Sequence, residues 1–133
     1  MADSEVEVVR AQFEAVNRRD FEHAMSLYAE DVVLVVHDDA FLDAGRFEGK
    51  GAVGKWFGDW FATFEPGYRF DIQDARMVGD YVFLDAAHRG HGRSSGIEVG
   101  GRTGYLYEVR DGLVARVELF REPEDALRAA GGT

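Results

Sequence analysis

Proton transfer at neutral pH needs a group that titrates there, and in this chain that points first to His88. His88 lies in the run YVFLDAAHRGHGR, whose two-residue alternation puts it on one face with Val82, Leu84 and Ala86. The run IEVGGRTGYLYEV carries Tyr105 and Tyr107 to the same face, and a phenol there can donate to an oxygen that gains negative charge. His88, Tyr105 and Tyr107 are therefore the candidate catalytic set. A second reading stays open, in which His88 is only hydrogen-bonded to Thr103 or a tyrosine in a polar core. His91 is three residues from His88 on a strand, faces the other way and cannot chelate with it. His37, Asp38, Asp39 and Asp43 match no metal-loop spacing and read as a solvated acidic loop. With no cysteine, phosphate loop, nucleophile elbow or dinucleotide fingerprint, no cofactor or metal is expected.

Trp56, Phe57 and Trp60 are the candidate substrate-binding wall, with ordinary core packing as the alternative. Arg121 could hold a ligand carboxylate at a pocket mouth, or form a surface salt bridge to Glu122 or Asp125.

The strands that carry these groups form a meander from Asp80 to Arg121, broken by SSG and RDG. A two-residue turn at Asp111-Gly112 mixes polar and apolar residues on each face. A three-residue loop Arg110-Asp111-Gly112 instead pairs Val109 with Leu113, Tyr107 with Ala115 and Tyr105 with Val117, and it is the expected register. A Ser95-Gly96 turn pairs Ser94 with Ile97 and sets Arg93 opposite Glu98. It also sets Arg89 opposite Arg102, a like-charge clash that a bulge near the glycines would relieve.

Upstream, Ser4 and Glu7 form a capping-box pattern before Val6, Val9, Phe13 and Val16. Asp20 can cap a second helix with the stripe Phe21, Ala24, Met25 and Tyr28, ended by Asp31, and Val32–Val36 is a β-branched strand. A short strand around Ala44–Phe47 follows. Over residues 50–64, Val53, Trp56, Phe57, Trp60, Phe61 and Phe64 recur at helical spacing. Gly54 and Gly58 inside that helix each cost roughly 1 kcal/mol against alanine, so a close approach on their side is expected. Tyr68–Val78 reads as a strand, and Pro123 opens a short last helix.

The 133 residues fit one domain, 1–133, with an α+β fold: three helices in the N-terminal half packed on a strongly bent, mostly antiparallel sheet, and a short C-terminal helix. A cone-shaped cavity between sheet and helices is the natural ligand site. The formal charge of −10 argues against nucleic acid or an anionic membrane as partner. The chain has no apolar run of transmembrane length, an acidic start and no cysteine, which together suit a cytoplasmic location. Tyr81, Phe83, Leu106, Val114 and Phe120 would point outward from the convex face, beside Asp85, Arg102, Glu108, Arg116 and Glu118. A homodimer on that face is therefore expected.

The segments NRRDFEHAMSLYAEDVV, RFEGKGAVGKWF, HRGHGRSSGIEV and YEVRDGLVARVELFREPEDAL resemble the SnoaL-like branch of the nuclear transport factor 2-like superfamily. The resemblance spans nearly the whole chain and implies the cone fold, with dimers through the convex sheet common among relatives. Those relatives include ketosteroid isomerases, polyketide cyclases, limonene-epoxide hydrolases and non-catalytic proteins, so fold alone does not fix activity. The resemblance puts the isomerases' general base at Val36, their oxyanion tyrosine near Gln12, and the protonated aspartate beside it at Tyr105. Valine takes no proton, which argues against steroid isomerisation by that route. The reading is a pocket for a small, largely apolar or carbonyl-containing ligand, acting by cofactor-free proton transfer as an isomerase, cyclase or hydrolase. Its alternative is a non-catalytic binding or assembly module of the same fold.

Overall fold

The computed structural model describes residues 2–37 and 44–131. Asp38, Asp39 and Asp43 of the acidic loop lie outside the described residues, and no group of three potential metal ligands occurs among those described. Four helices and six strands run in the order α1 (Ala2–Asn17), α2 (Phe21–Ser26), β1 (Tyr28–Val36), β2 (Gly45–Glu48), α3 (Lys50–Ala62), β3 (Arg69–Val78), β4 (Tyr81–His91), β5 (Glu98–Arg110), β6 (Leu113–Phe120) and α4 (Pro123–Ala129). This is the expected α+β order, with shifted boundaries. Because α1 begins at Ala2, Ser4 falls inside its first turn rather than ahead of it. The Asp20 carboxylate caps α2 by accepting from the His23 amide at 3.2 Å. Tyr28 opens β1 rather than closing α2.

The sheet order is β2-β1-β6-β5-β4-β3. Strand β1 lies parallel to β6, and every other pairing is antiparallel. Helices α1 to α3 cover the inner face, where Val9, Phe13, Val53, Trp56 and Trp60 meet Leu34, Val82, Leu84, Tyr105, Tyr107 and Val117 in one core.

Both hairpin registers differ from expectation. The β5–β6 turn is the two-residue Asp111-Gly112, with φ of 56° and 77°, so Arg110 pairs with Leu113. The mixed faces this would create are avoided by a bulge: Val109 pairs with Val114 and Glu108 with Arg116, which leaves Ala115 as the extra residue. Val114 therefore turns into the core, against the outward position expected for it, while Tyr107 meets Val117 and Tyr105 meets Leu119. The β4–β5 hairpin is displaced by two residues, so His88 faces Gly101 and His91 faces Glu98. An even shift keeps every side chain on its expected face. It also removes the clash of Arg89 with Arg102: Arg102 now sits opposite Ala87 and reaches diagonally to Asp85.

The apolar convex patch is not open. Phe83, Leu106 and Phe120 are buried by α4 of the same chain, packed with Ala126 and flanked by Tyr81 and Leu127. Gly104 makes this possible, since a Cβ there would lie 2.7 Å from Pro123 Cα and 3.0 Å from the Glu122 carbonyl. The charged residues of that face also pair within the chain, Arg102 with Asp85 and Arg116 with Glu118 at 3.3 Å. Patterning therefore no longer argues for a dimer on this face.

Two candidate cavities on the inner face

The inward side chains of the sheet open onto two cavities rather than one. The larger, about 610 Å³, lies under α1, α2 and α3. Phe13, Phe57, Phe61 and Phe70 make its walls, and Gln12, Tyr28, Tyr105 and Tyr107 bring polar atoms to it. Phe13 organises these groups: its ring meets those of Phe70, Tyr105 and Tyr107 edge-on, at 5.5, 5.3 and 6.2 Å. Half-exposed Phe21 sits at the rim 5.4 Å from Phe61, and Lys50 faces Glu30 across 3.7 Å.

Burial pushes the Tyr28, Tyr105 and Tyr107 hydroxyls well above the usual phenol range. All three stay protonated at neutral pH and can act as hydrogen-bond donors, but not as bases. The helix glycines mark this site. A Cβ on Gly54 would come within 2.8 Å of Met25 Cε, the close approach expected from sequence, whereas one on Gly58 would meet nothing within 4 Å. Both line the cavity, and at Gly58 the missing side chain leaves the space empty.

The second cavity, about 520 Å³, lies toward the far ends of β4, β5 and β6. His88, Trp60, Phe64, Thr103 and Arg121 reach it. His88 is held from behind: the Tyr68 hydroxyl lies 2.8 Å from its Nδ1, and Trp60 Nε1 donates to the same hydroxyl at 3.2 Å. Tyr68 thus bridges the two rings, accepting from Trp60 and sharing one hydrogen with Nδ1 of His88. Tyr68 is fixed in turn by Phe64 stacked at 4.0 Å and by Arg19, which donates to its carbonyl. Burial lowers the pKa of His88 and favours the neutral ring.

The candidate residues divide between these sites. His88, Trp60 and Arg121 reach the second cavity, while Tyr105, Tyr107 and Phe57 line the first. His88 and the two tyrosines thus share a face but not a cavity. Trp56 lines neither, being buried against Phe57 at 5.1 Å and Trp60 at 5.6 Å. Arg121 forms no ion pair with a described residue, and Asp125 is taken by Arg128. Gln12, at the position matching the isomerases' tyrosine, donates to the Ala24 carbonyl at 3.2 Å and lines the larger cavity. Buried Val36 leaves the position of their base apolar.

A six-stranded sheet with α1 to α3 over its inner face and α4 over its outer face, leaving a largely apolar cavity on the inner side, defines a class of pocket domains. The SnoaL-like domain model matches residues 9–117, and the chain belongs to that family. Among solved structures it is similar to a candidate isomerase from Bacillus subtilis, at 20% identity over 98% of this chain and 95% of the other, with TM-score 0.78. It is also similar to a candidate SnoaL-like polyketide cyclase from Jannaschia sp. CCS1, at 17% identity over 100% and 95%, TM-score 0.80. A third is a protein with a ketosteroid isomerase-like fold from Catenulispora acidiphila DSM 44928 in complex with trimethylamine, at 20% identity over 96% and 94%, TM-score 0.73. No curated protein matches the chain. At these identities the structural likeness establishes fold, not reaction.

Proposed function

We propose that this chain binds a small, largely apolar molecule carrying a carbonyl or hydroxyl oxygen in the larger cavity, and holds it without transforming it. The observation that carries this reading is the lining: phenylalanine rings beside Gln12, Tyr28, Tyr105 and Tyr107, with Glu30 and Lys50 as its charged residues. A general base works best with a pKa near the operating pH, and the buried tyrosines lie far above it. Glu30 stands at the mouth, almost wholly exposed and facing Lys50. Thermal-shift titration with cyclic ketones and lactones tests the reading. Ketones should raise the melting temperature of the wild type, and less that of a Tyr105→Phe, Tyr107→Phe double variant. Equal shifts in both proteins would count against it.

A second reading is cofactor-free proton transfer by His88, and the Tyr68–His88 contact is what supports it. Its substrate would occupy the second cavity, so Tyr105 and Tyr107 would serve it only as structure. Deuterium exchange next to a ketone carbonyl in D2O, lost on His88→Gln, is its expected signature. A homodimer through the convex face rests on the resemblance alone, and a cytoplasmic location on the cysteine-free composition. Among the described residues no helix is long and apolar enough to cross a membrane.

A further inference from the structure

The second cavity is lined by more positive than negative side chains. On a chain of formal charge −10, the charged groups among its described lining are Arg102, Arg121 and Glu122, a net of +1 from two arginines and one glutamate. Arg102 is already committed: it grips Asp85, and Glu124 and Glu122 act on it as well. Arg121, the other arginine of this lining, has no carboxylate within ion-pair distance among the described residues.

Thr103 gives an independent observation at the same place. It is 3% exposed, lines this cavity, and its Oγ1 has no hydrogen-bond partner. The Tyr105 hydroxyl is a polar neighbour that acts on it. A buried hydroxyl left without a partner is costly, and a ligand acceptor would offset that cost. Small residues make the room: Thr103 pairs with Ala86, and Gly101 faces His88, where a Cβ would sit 3.5 Å from Nε2. Two flat rings, Trp60 and Phe64, also line this cavity.

We propose that this second cavity binds a small carboxylate with a flat apolar body, its charge held by Arg121 and Thr103 and its body laid against Trp60 and Phe64. Guanidinium presents a planar fork of donors that matches a carboxylate in two parallel hydrogen bonds, which a neutral amide of the same shape cannot return with charge. The Thr103 hydroxyl supplies a further donor from below. Binding here is independent of the larger cavity, and it concerns a charged ligand rather than a neutral one.

Calorimetric titration with sodium benzoate and with benzamide tests the proposal, alongside Arg121→Gln, Thr103→Val and Gly58→Leu variants whose melting curves are recorded first. Benzoate should bind the wild type, and benzamide about tenfold or more weakly. Arg121→Gln, at an exposed position without an ion pair, should fold normally and lose about tenfold in benzoate affinity. Thr103→Val removes the orphan hydroxyl, so it should melt no lower than the wild type yet bind benzoate more weakly. Gly58→Leu, which fills the larger cavity, should leave benzoate binding unchanged. No benzoate binding by folded wild type, equal affinity for benzamide, full affinity in Arg121→Gln, or loss of binding in Gly58→Leu would each overturn it.

Discussion

The hydroxyl of Tyr68 sits 2.8 Å from Nδ1 of His88, reaching from the residue just ahead of β3 to the neighbouring strand β4. That contact orients the imidazole, and burial favours its neutral form. Its sign has a consequence for stability. A histidine whose folded pKa lies below its ordinary value near 6.5 takes up a proton more readily once unfolded. Its contribution to stability is therefore full above that ordinary value and is lost as pH falls toward the folded one. Between about pH 7.5 and about pH 5.5 the wild type should lose more melting temperature than His88→Gln does. Parallel losses in the two proteins would mean that the ring is not held neutral.

The two helix glycines predict opposite outcomes. Gly58→Ala should stabilise the protein by about 1 kcal/mol, because alanine favours the helix and its methyl meets open space. Gly54→Ala gains the same propensity but pushes its methyl into Met25 Cε, the flexible end of a side chain that must turn aside. Gly54→Ala should therefore be the less stable of the two in urea unfolding. The reverse order would contradict the packing described for α3.

A charge on the convex face should disrupt the fold rather than split a dimer. Leu106 is 2% exposed beneath α4, so Leu106→Ala should cost about 2–5 kcal/mol, and Leu106→Asp should unfold the chain. Circular dichroism together with light scattering separates the outcomes. A folded, monomeric Leu106→Asp protein from a dimeric parent would show that this face is a subunit contact.

Much of the fold was legible in the sequence because alternation and turn residues constrain strands locally. The inner face of β4 and β5 followed from side-chain parity, which survives an even register shift. Less legible was the bulge at Ala115: a two-residue turn with one extra residue and a three-residue loop solve the same patterning problem, and only the fold decides between them. The covering of Phe83, Leu106 and Phe120 was missed for a different reason. The seven residues of α4 carry Ala126 and Leu127 as their apolar contribution, and nothing local shows which strand face they reach.

The site was legible to a different depth. His88, Tyr105 and Tyr107 were found from residue type and face, but their division between two cavities depends on how Trp56 and Trp60 fill the middle of the inner face. Tyr68 was read as the first residue of a strand, and its role at His88 carries no local signature. The signal that was present lay in Gly54 and Gly58, which break helix propensity in α3 where the larger cavity needs space.

The central claim, that the larger cavity is a ligand site, is tested most directly at Met25. Its side chain lines that cavity, whereas Met77 packs against the core without lining it. With the methionine methyls labelled with carbon-13, addition of cyclohexanone should move the Met25 resonance in a saturable way and leave Met77 in place. An unmoved Met25 signal, or equal drift of Met25 and Met77 without saturation, would contradict the assignment of this cavity as a binding site.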